Sequence, residues 1–135
     1  MSGRSFFDTT ILIYSISSEE PRAAMAEKLL ADGGWISVQV LNEFAAVTRH
    51  KLNFSWGETR EALLAIRALC ETPTRLSIET HEAALEIAAR YGYHFYDALI
   101  LAAAIEADCD ILYTEDMQHG QSIGPITIHN PFLNI

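Results

Sequence analysis

Apolar residues fall along this chain in short bursts separated by longer stretches with helical spacing. Ser5-Phe6-Phe7-Asp8 is an apolar burst ending on an acid and predicts a short buried strand; Ile11-Leu12-Ile13-Tyr14 predicts a helical turn directly after it. Pro21 behind Glu19-Glu20 predicts a helix start, because proline suits the first helical position and acids favour the positive end of the helix dipole. That helix runs through Ala23, Ala24, Ala26, Leu29 and Leu30 and stops at Gly33-Gly34, and Trp35-Ile36-Ser37 predicts the next strand. Ser37 caps a helix over 38–51, and Ser55 caps another over 58–70 that Thr72-Pro73 ends. Arg75-Leu76-Ser77-Ile78 predicts a strand, and Thr80 with Glu82-Ala83 opens a helix ending at Tyr91-Gly92. Residues 96–106 are apolar on nearly every side, which predicts a buried helix. Asp110-Ile111-Leu112-Tyr113 and Pro125-Ile126-Thr127-Ile128 are the last two predicted strands.

Short apolar strands alternating with helices imply right-handed crossovers and a mostly parallel sheet with helices on both faces. The expected fold is therefore α/β, a three-layer α/β/α domain with a short, mostly parallel sheet of four to five strands. No internal repeat, low-complexity tract or linker interrupts the chain, so residues 1–135 are expected to form one domain. In such folds ligands gather beyond the carboxyl ends of the strands.

Composition sharpens this picture in three respects. Half the residues are apolar and 20% are charged, enough for a packed core. No apolar run approaches the roughly 20 residues needed to cross a bilayer. The start, Met1-Ser2-Gly3-Arg4-Ser5-Phe6-Phe7-Asp8, places an acid where a signal peptide needs its apolar stretch, so a cytoplasmic protein without membrane attachment is expected. Cys70 and Cys109 share no metal-ligand spacing and read as two buried thiols rather than a disulfide.

The net charge of −9 argues against a broad basic surface for nucleic acid, but not against an enzyme that meets phosphates through bound metal ions. All nine Lys and Arg lie between Arg4 and Arg90; residues 91–135 have none, yet keep Asp97, Glu106, Asp108, Asp110, Glu115 and Asp116.

Four acids stand in telling places. Asp8 ends the first predicted strand, and Asp116 lies just past Ile111-Leu112-Tyr113; singly, each reads first as a turn residue or helix cap. Glu43 shares a helical row with Val40 and Val47, a costly position for a carboxylate unless it snorkels, pairs or binds metal. Asp97 sits in the first turn of the apolar helix, where capping is the ordinary role and close packing turns the helix end toward a cleft. Together, two acids from strand ends and two from helices can converge at one sheet edge. Such a cluster resists full ionisation without cations, and oxygen-only ligands select Mg²⁺ or Mn²⁺. Two ions about 4 Å apart would activate water and stabilise the leaving oxygen of a phosphodiester.

At these residues the chain resembles the PIN domain, specifically the VapC-like toxin nucleases of prokaryotic toxin–antitoxin pairs. The resemblance spans essentially the whole chain: Phe7-Asp8-Thr9-Thr10 with Leu12-Ile13-Tyr14, Leu41-Asn42-Glu43-Phe44, Tyr96-Asp97-Ala98-Leu99-Ile100, and Tyr113-Thr114-Glu115-Asp116-Met117-Gln118-His119-Gly120. It implies that Asp8, Glu43, Asp97 and Asp116 are the catalytic, metal-binding acids, that the metal is Mg²⁺ or Mn²⁺, and that the substrate is RNA. It further implies an antitoxin partner. A homodimer is expected from the resemblance and from a mean hydropathy above zero in so small a chain. Thr9, Thr10 and Thr114 are candidate substrate-binding or supporting residues. Similar proteins carry asparagine where this chain has Thr10, which bonds locally but reaches less far. Thr114 either orients a carboxylate, contacts phosphate or forms a plain turn.

Other classes fit less well. A receiver domain needs a late lysine, and none follows Lys51; a haloacid-dehalogenase-type phosphatase needs an acid at position 10; no glycine-rich loop precedes Lys28 or Lys51 to make a P-loop. The remaining alternative is a catalytically silent PIN-like binding or scaffold module, whose mark would be loss of one or more of the four acids. The five histidines show no ligand spacing, Arg49-His50-Lys51 reads as a solvated helix end, Tyr91, Tyr93, Phe95 and Tyr96 as mostly core, and Glu115 as facing solvent.

Overall fold

The computed structural model describes residues 3–135; Met1 and Ser2, part of the opening stretch read above, lie outside them. The elements are β1 (Ser5–Phe7), α1 (Thr9–Ser15), α2 (Arg22–Ala31), α3 (Val38–His50), α4 (Trp56–Leu69), α5 (Ile78–Tyr91), α6 (Phe95–Glu106), β2 (Ile111–Tyr113), β3 (Ser122–Ile123) and β4 (Ile126–His129). The sheet order is β1-β2-β4-β3, with β1–β2 and β2–β4 parallel and β3–β4 antiparallel. This is the expected three-layer α/β/α arrangement with a short, mostly parallel sheet.

Local capping chemistry accounts for the helix starts. Ser37 accepts from the Val40 amide, and Ser55 and Glu58 form a reciprocal capping box. Pro21 precedes α2 by one residue, and Gly92, at φ 77°, closes α5 in the left-handed conformation that glycine adopts without a Cβ penalty. In α6 the seven residues from Ala98 to Ala104 are all buried, as an apolar helix packed between α5 and the sheet requires. Along β4, Ile126 and Ile128 are buried while Thr127 and His129 are exposed, so that end of the sheet meets solvent on one face.

The predicted strand 35–37 is reduced to two isolated bridges. Trp35 pairs only with Phe6, and Ser37 only with Thr74. The segment 75–78 is not a strand: Ser77 accepts from the Thr80 amide and caps α5, which begins at Ile78 rather than near Thr80. The apolar residues that suggested a strand have no core to face, since Leu76 is 39% and Ile78 70% exposed. In their place, the pair β3–β4 turns through Gly124, at φ 54°.

Gly34 explains how the chain passes so close to β1. A Cβ there would stand 2.5 Å from the Phe7 ring and 2.8 Å from the Ser5 carbonyl oxygen. The Trp35 backbone can therefore bond both Ser5 and Phe7, at 2.9 and 3.0 Å, and fix the strand that ends just before Asp8. Cys109 is buried and Cys70 half-buried, both free. Among the described residues no helix is long and apolar enough to cross a membrane.

Candidate active site

The parallel register aligns Phe7 with Tyr113, so the next residue of each strand, Asp8 and Thr114, emerge side by side at the carboxyl edge. The Asp8 amide bonds the Tyr113 carbonyl at 3.0 Å and holds the two exits together. Asp8 is also the N-cap of α1: one carboxylate oxygen accepts from the Thr9 amide at 2.6 Å. The other accepts from the Thr114 hydroxyl, also at 2.6 Å. Asp8 is only 2% exposed, and this burial drives its pKa up to about 7. The hydrogen bonds from Thr114 and Thr9 pull it down by less, and the charges of Glu43 and Asp97 push it up further.

Glu43 arrives on α3, beside the buried Val40 and Phe44. Its carboxylate accepts from the Thr9 hydroxyl at 2.9 Å and from the Gln39 amide group at 3.0 Å. Thr9 therefore bridges Asp8 and Glu43, bonding one through its backbone and the other through its side chain. Gln39 went unremarked in the sequence; its signal was the four-residue spacing that places it one helical turn before Glu43.

Asp97 lies in the first turn of α6 but does not cap it. His94 does, its Nδ1 accepting from the Tyr96 amide at 3.2 Å. Among the described residues, no side-chain or backbone group donates to the Asp97 carboxylate. Its pKa is raised first by burial, then by Glu43 and Asp116, against a smaller lowering by His94. Asp116 stands nearer solvent on the segment after β2, where its amide bonds the Thr114 hydroxyl at 3.1 Å. Its pKa is also raised, by the partial desolvation of its carboxyl and by Glu115, while Lys51 opposes.

The four acids thus form an electrostatic chain, in which Asp8 feels Glu43 and Asp97, and Asp97 feels Glu43 and Asp116. Among the described residues no Lys or Arg forms an ion pair with any of them, the one pair being Arg22 with Glu115. Among those same residues no three His, Cys, Asp or Glu side chains form a ready-made metal cage. Asp8 and Glu43 have both oxygens turned to hydroxyl and amide donors. The donor chemistry nonetheless suits a hard divalent cation: carboxylate oxygens, crowded and, among the described residues, without an ion-paired Lys or Arg.

Thr114 is fully buried, and its hydroxyl serves Asp8 and the Asp116 amide, which leaves no open side for phosphate. Glu115 corrects an expectation, since it does not face solvent. Its carboxylate accepts from the Tyr14 hydroxyl at 2.6 Å and from Arg22 Nε at 3.2 Å, and its amide bonds the Thr10 hydroxyl at 3.2 Å. The bond to Glu115 raises the Tyr14 pKa to about 12. Arg49 bonds the Phe54 carbonyl and lies 4.3 Å over the Trp56 ring. Tyr91, Tyr93 and Phe95 pack against the core, while Tyr96 is exposed. His119 accepts from the Asn130 amide and meets His129 edge-on, with ring centroids 5.0 Å apart.

This fold and this sheet edge define a member of the PIN domain family, whose sequence pattern the chain matches over residues 5–121. Solved structures with the same fold include three of toxins or toxin–antitoxin assemblies. A toxin–antitoxin complex from Klebsiella pneumoniae has a TM-score of 0.72 at 20% identity, covering 95% of this chain and 98% of that one. VapC20 of Mycobacterium tuberculosis, described as a sarcin-ricin loop cleaving toxin, scores 0.68 at 22% identity, covering 83% and 89%. VapBC2 from Rickettsia felis, bound to a DNA fragment from its promoter, scores 0.68 at 21% identity, covering 93% and 97%. No curated protein sequence matches the chain significantly.

Proposed function

We propose that the protein is a metal-dependent endoribonuclease that hydrolyses RNA phosphodiester bonds as the toxin of a cytoplasmic toxin–antitoxin pair. The observation that carries this reading is the buried Asp8 carboxylate, coupled to Glu43 and Asp97 with, among the described residues, no Lys or Arg ion-paired to any of the three. Asp8, Asp97 and Asp116 are the direct ligands for Mg²⁺ or Mn²⁺, with Glu43 as a ligand or acting through a bound water. When bound, the metal supplies a lowered pKa for the attacking water and compensation for charge on the leaving oxygen. The chain's own part is to hold the acids in place: Thr114 and Thr9 fix the Asp8 oxygens, while Thr9 and Gln39 fix those of Glu43. Membership of the PIN family and a fold shared with a sarcin-ricin loop cleaving toxin support the substrate class.

Total cellular RNA incubated with the purified protein is expected to fragment in Mg²⁺ or Mn²⁺ and to stay intact in EDTA. Cleavage that persists in EDTA would end the carboxylate–metal reading. No cleavage under any condition, with no calorimetric Mn²⁺ binding, would leave the silent binding module.

A homodimer bound by an antitoxin completes the proposal, since two of the similar structures are of toxin–antitoxin assemblies. A basic antitoxin side chain entering the acidic site would compete with metal. Light scattering at high micromolar concentration should read twice the chain mass, and a monomer there would remove the dimer.

A further inference from the structure

The segment Thr114–Asp116 carries Asp116 and presents the hydroxyl that orients Asp8, yet it belongs to no helix or strand. Something other than secondary structure must hold it. The sequence offers Glu115 between two residues that face the acidic site, and the structure turns Glu115 the opposite way, into a cluster from three other parts of the fold. Its carboxylate takes the Tyr14 hydroxyl from α1 and Arg22 Nε at the start of α2. The Arg22 guanidinium lies 5.7 Å from the Tyr14 ring centre and 5.9 Å from that of Phe132, and these two rings meet edge-on at 4.9 Å. Phe132 is buried, so the cluster is anchored in the core. The Glu115 amide is held separately by Thr10.

We propose that Glu115 is a positioning residue for the acidic site: clasped by Tyr14, Arg22 and Thr10, it fixes the segment that orients Asp8 and carries Asp116. This rests on the metal-nuclease reading above. The clasp also gives Thr10 its use. A short hydroxyl on α1 reaches the neighbouring Glu115 amide, and a longer side chain is not needed for that bond. Loss of the clasp would free the Thr114 and Asp116 donors and acceptors to rotate, and metal affinity depends on such supporting contacts by about 10- to 100-fold.

Two measurements on the full chain decide this. Calorimetric titration with Mn²⁺, without RNA, should show affinity about tenfold weaker for Glu115→Ala. Hydrogen exchange of the metal-free protein should run at least about tenfold faster at the Glu115 and Asp116 amides, whose acceptors the clasp holds still. Glu115→Gln, whose amide oxygen can still accept from Arg22 while its NH₂ group donates to the Tyr14 oxygen, should recover part of each loss. Tyr14→Phe removes a single clasp bond without a cavity and should move both readouts the same way by less. Ile66→Val, a core change on α4, should lower stability and move neither. Exchange within twofold of wild type in Glu115→Ala overturns the clasp, and faster exchange with unchanged Mn²⁺ affinity overturns its positioning role. If the wild type binds no Mn²⁺, the metal reading falls, and exchange alone decides whether the clasp holds the segment.

Discussion

Asp97→Asn is expected to reduce RNA cleavage on the order of 10³-fold in kcat/KM, about 4 kcal/mol of transition-state stabilisation, without lowering stability. Asparagine keeps the shape of the side chain and removes its charge, so metal affinity and turnover should fall together. The stability half of the prediction follows from the local structure. His94 caps α6, so the substitution takes away no cap. Among the described residues nothing donates to the Asp97 carboxylate, so no hydrogen bond is lost there. The favourable contributions are His94 and the helix dipole, the latter worth roughly 0.3–1 kcal/mol in the first turn. Against them stand burial and the charges of Glu43 and Asp116, and the raised pKa shows that these win. The metal-free variant should therefore melt at the same temperature as wild type or higher. A clear drop in melting temperature, or cleavage at the wild-type rate, would show that Asp97 has a structural role in place of the proposed catalytic one.

The second large effect is on the pH dependence of stability. The folded protein raises the pKa of Asp8 from 3.8 to about 7 through burial. A carboxyl group with a raised folded pKa binds its proton more tightly in the folded state. Stability from this source is complete below the unfolded pKa and is lost as pH rises through the folded value. The metal-free protein should therefore weaken between about pH 4 and pH 7 and level off above. Each tenfold difference in proton affinity between the folded and unfolded chain is worth about 1.4 kcal/mol, so the expected loss is on the order of 4 kcal/mol. The raised pKa values of Asp97 and Asp116 act in the same direction.

Asp8→Asn should flatten most of this slope. Its amide oxygen can accept from Thr9, and its NH₂ group can donate to the Thr114 hydroxyl, so both contacts survive in altered polarity. At pH 8 in EDTA the variant should be the more stable protein, while Mn²⁺ should stabilise wild type and leave the variant nearly unmoved. Denaturation midpoints across pH 5 to 8.5 test this, and parallel curves for the two proteins would refute the assignment.

Capping and burial signals in the sequence were sufficient for the parts of this protein that depend on near neighbours. Ser37 and Ser55 start helices because each hydroxyl meets an amide three residues on. Strands ending in Asp8 and before Thr114, and an apolar run that had to be a buried helix, follow from patterns a few residues long. The acids were legible as a set because a carboxylate after a strand, or beside valines on a helix, stands out locally.

What only the tertiary structure decided lies in contacts between distant residues. The Thr114 hydroxyl reaches Asp8 across 106 positions, and Thr9 reaches Glu43 across 34. Glu115 looked solvent-facing because its neighbours in sequence are polar; its partners Tyr14 and Arg22 lie 101 and 93 positions away. The segments 35–37 and 75–78 looked like strands because alternation and β-branching report only that a segment suits a pleated surface. Whether a pleated surface is there to receive it depends on packing. Here Gly34 brings the chain to β1 for a single bridge, and Ser77 finds an amide to cap before Ile78 finds a core.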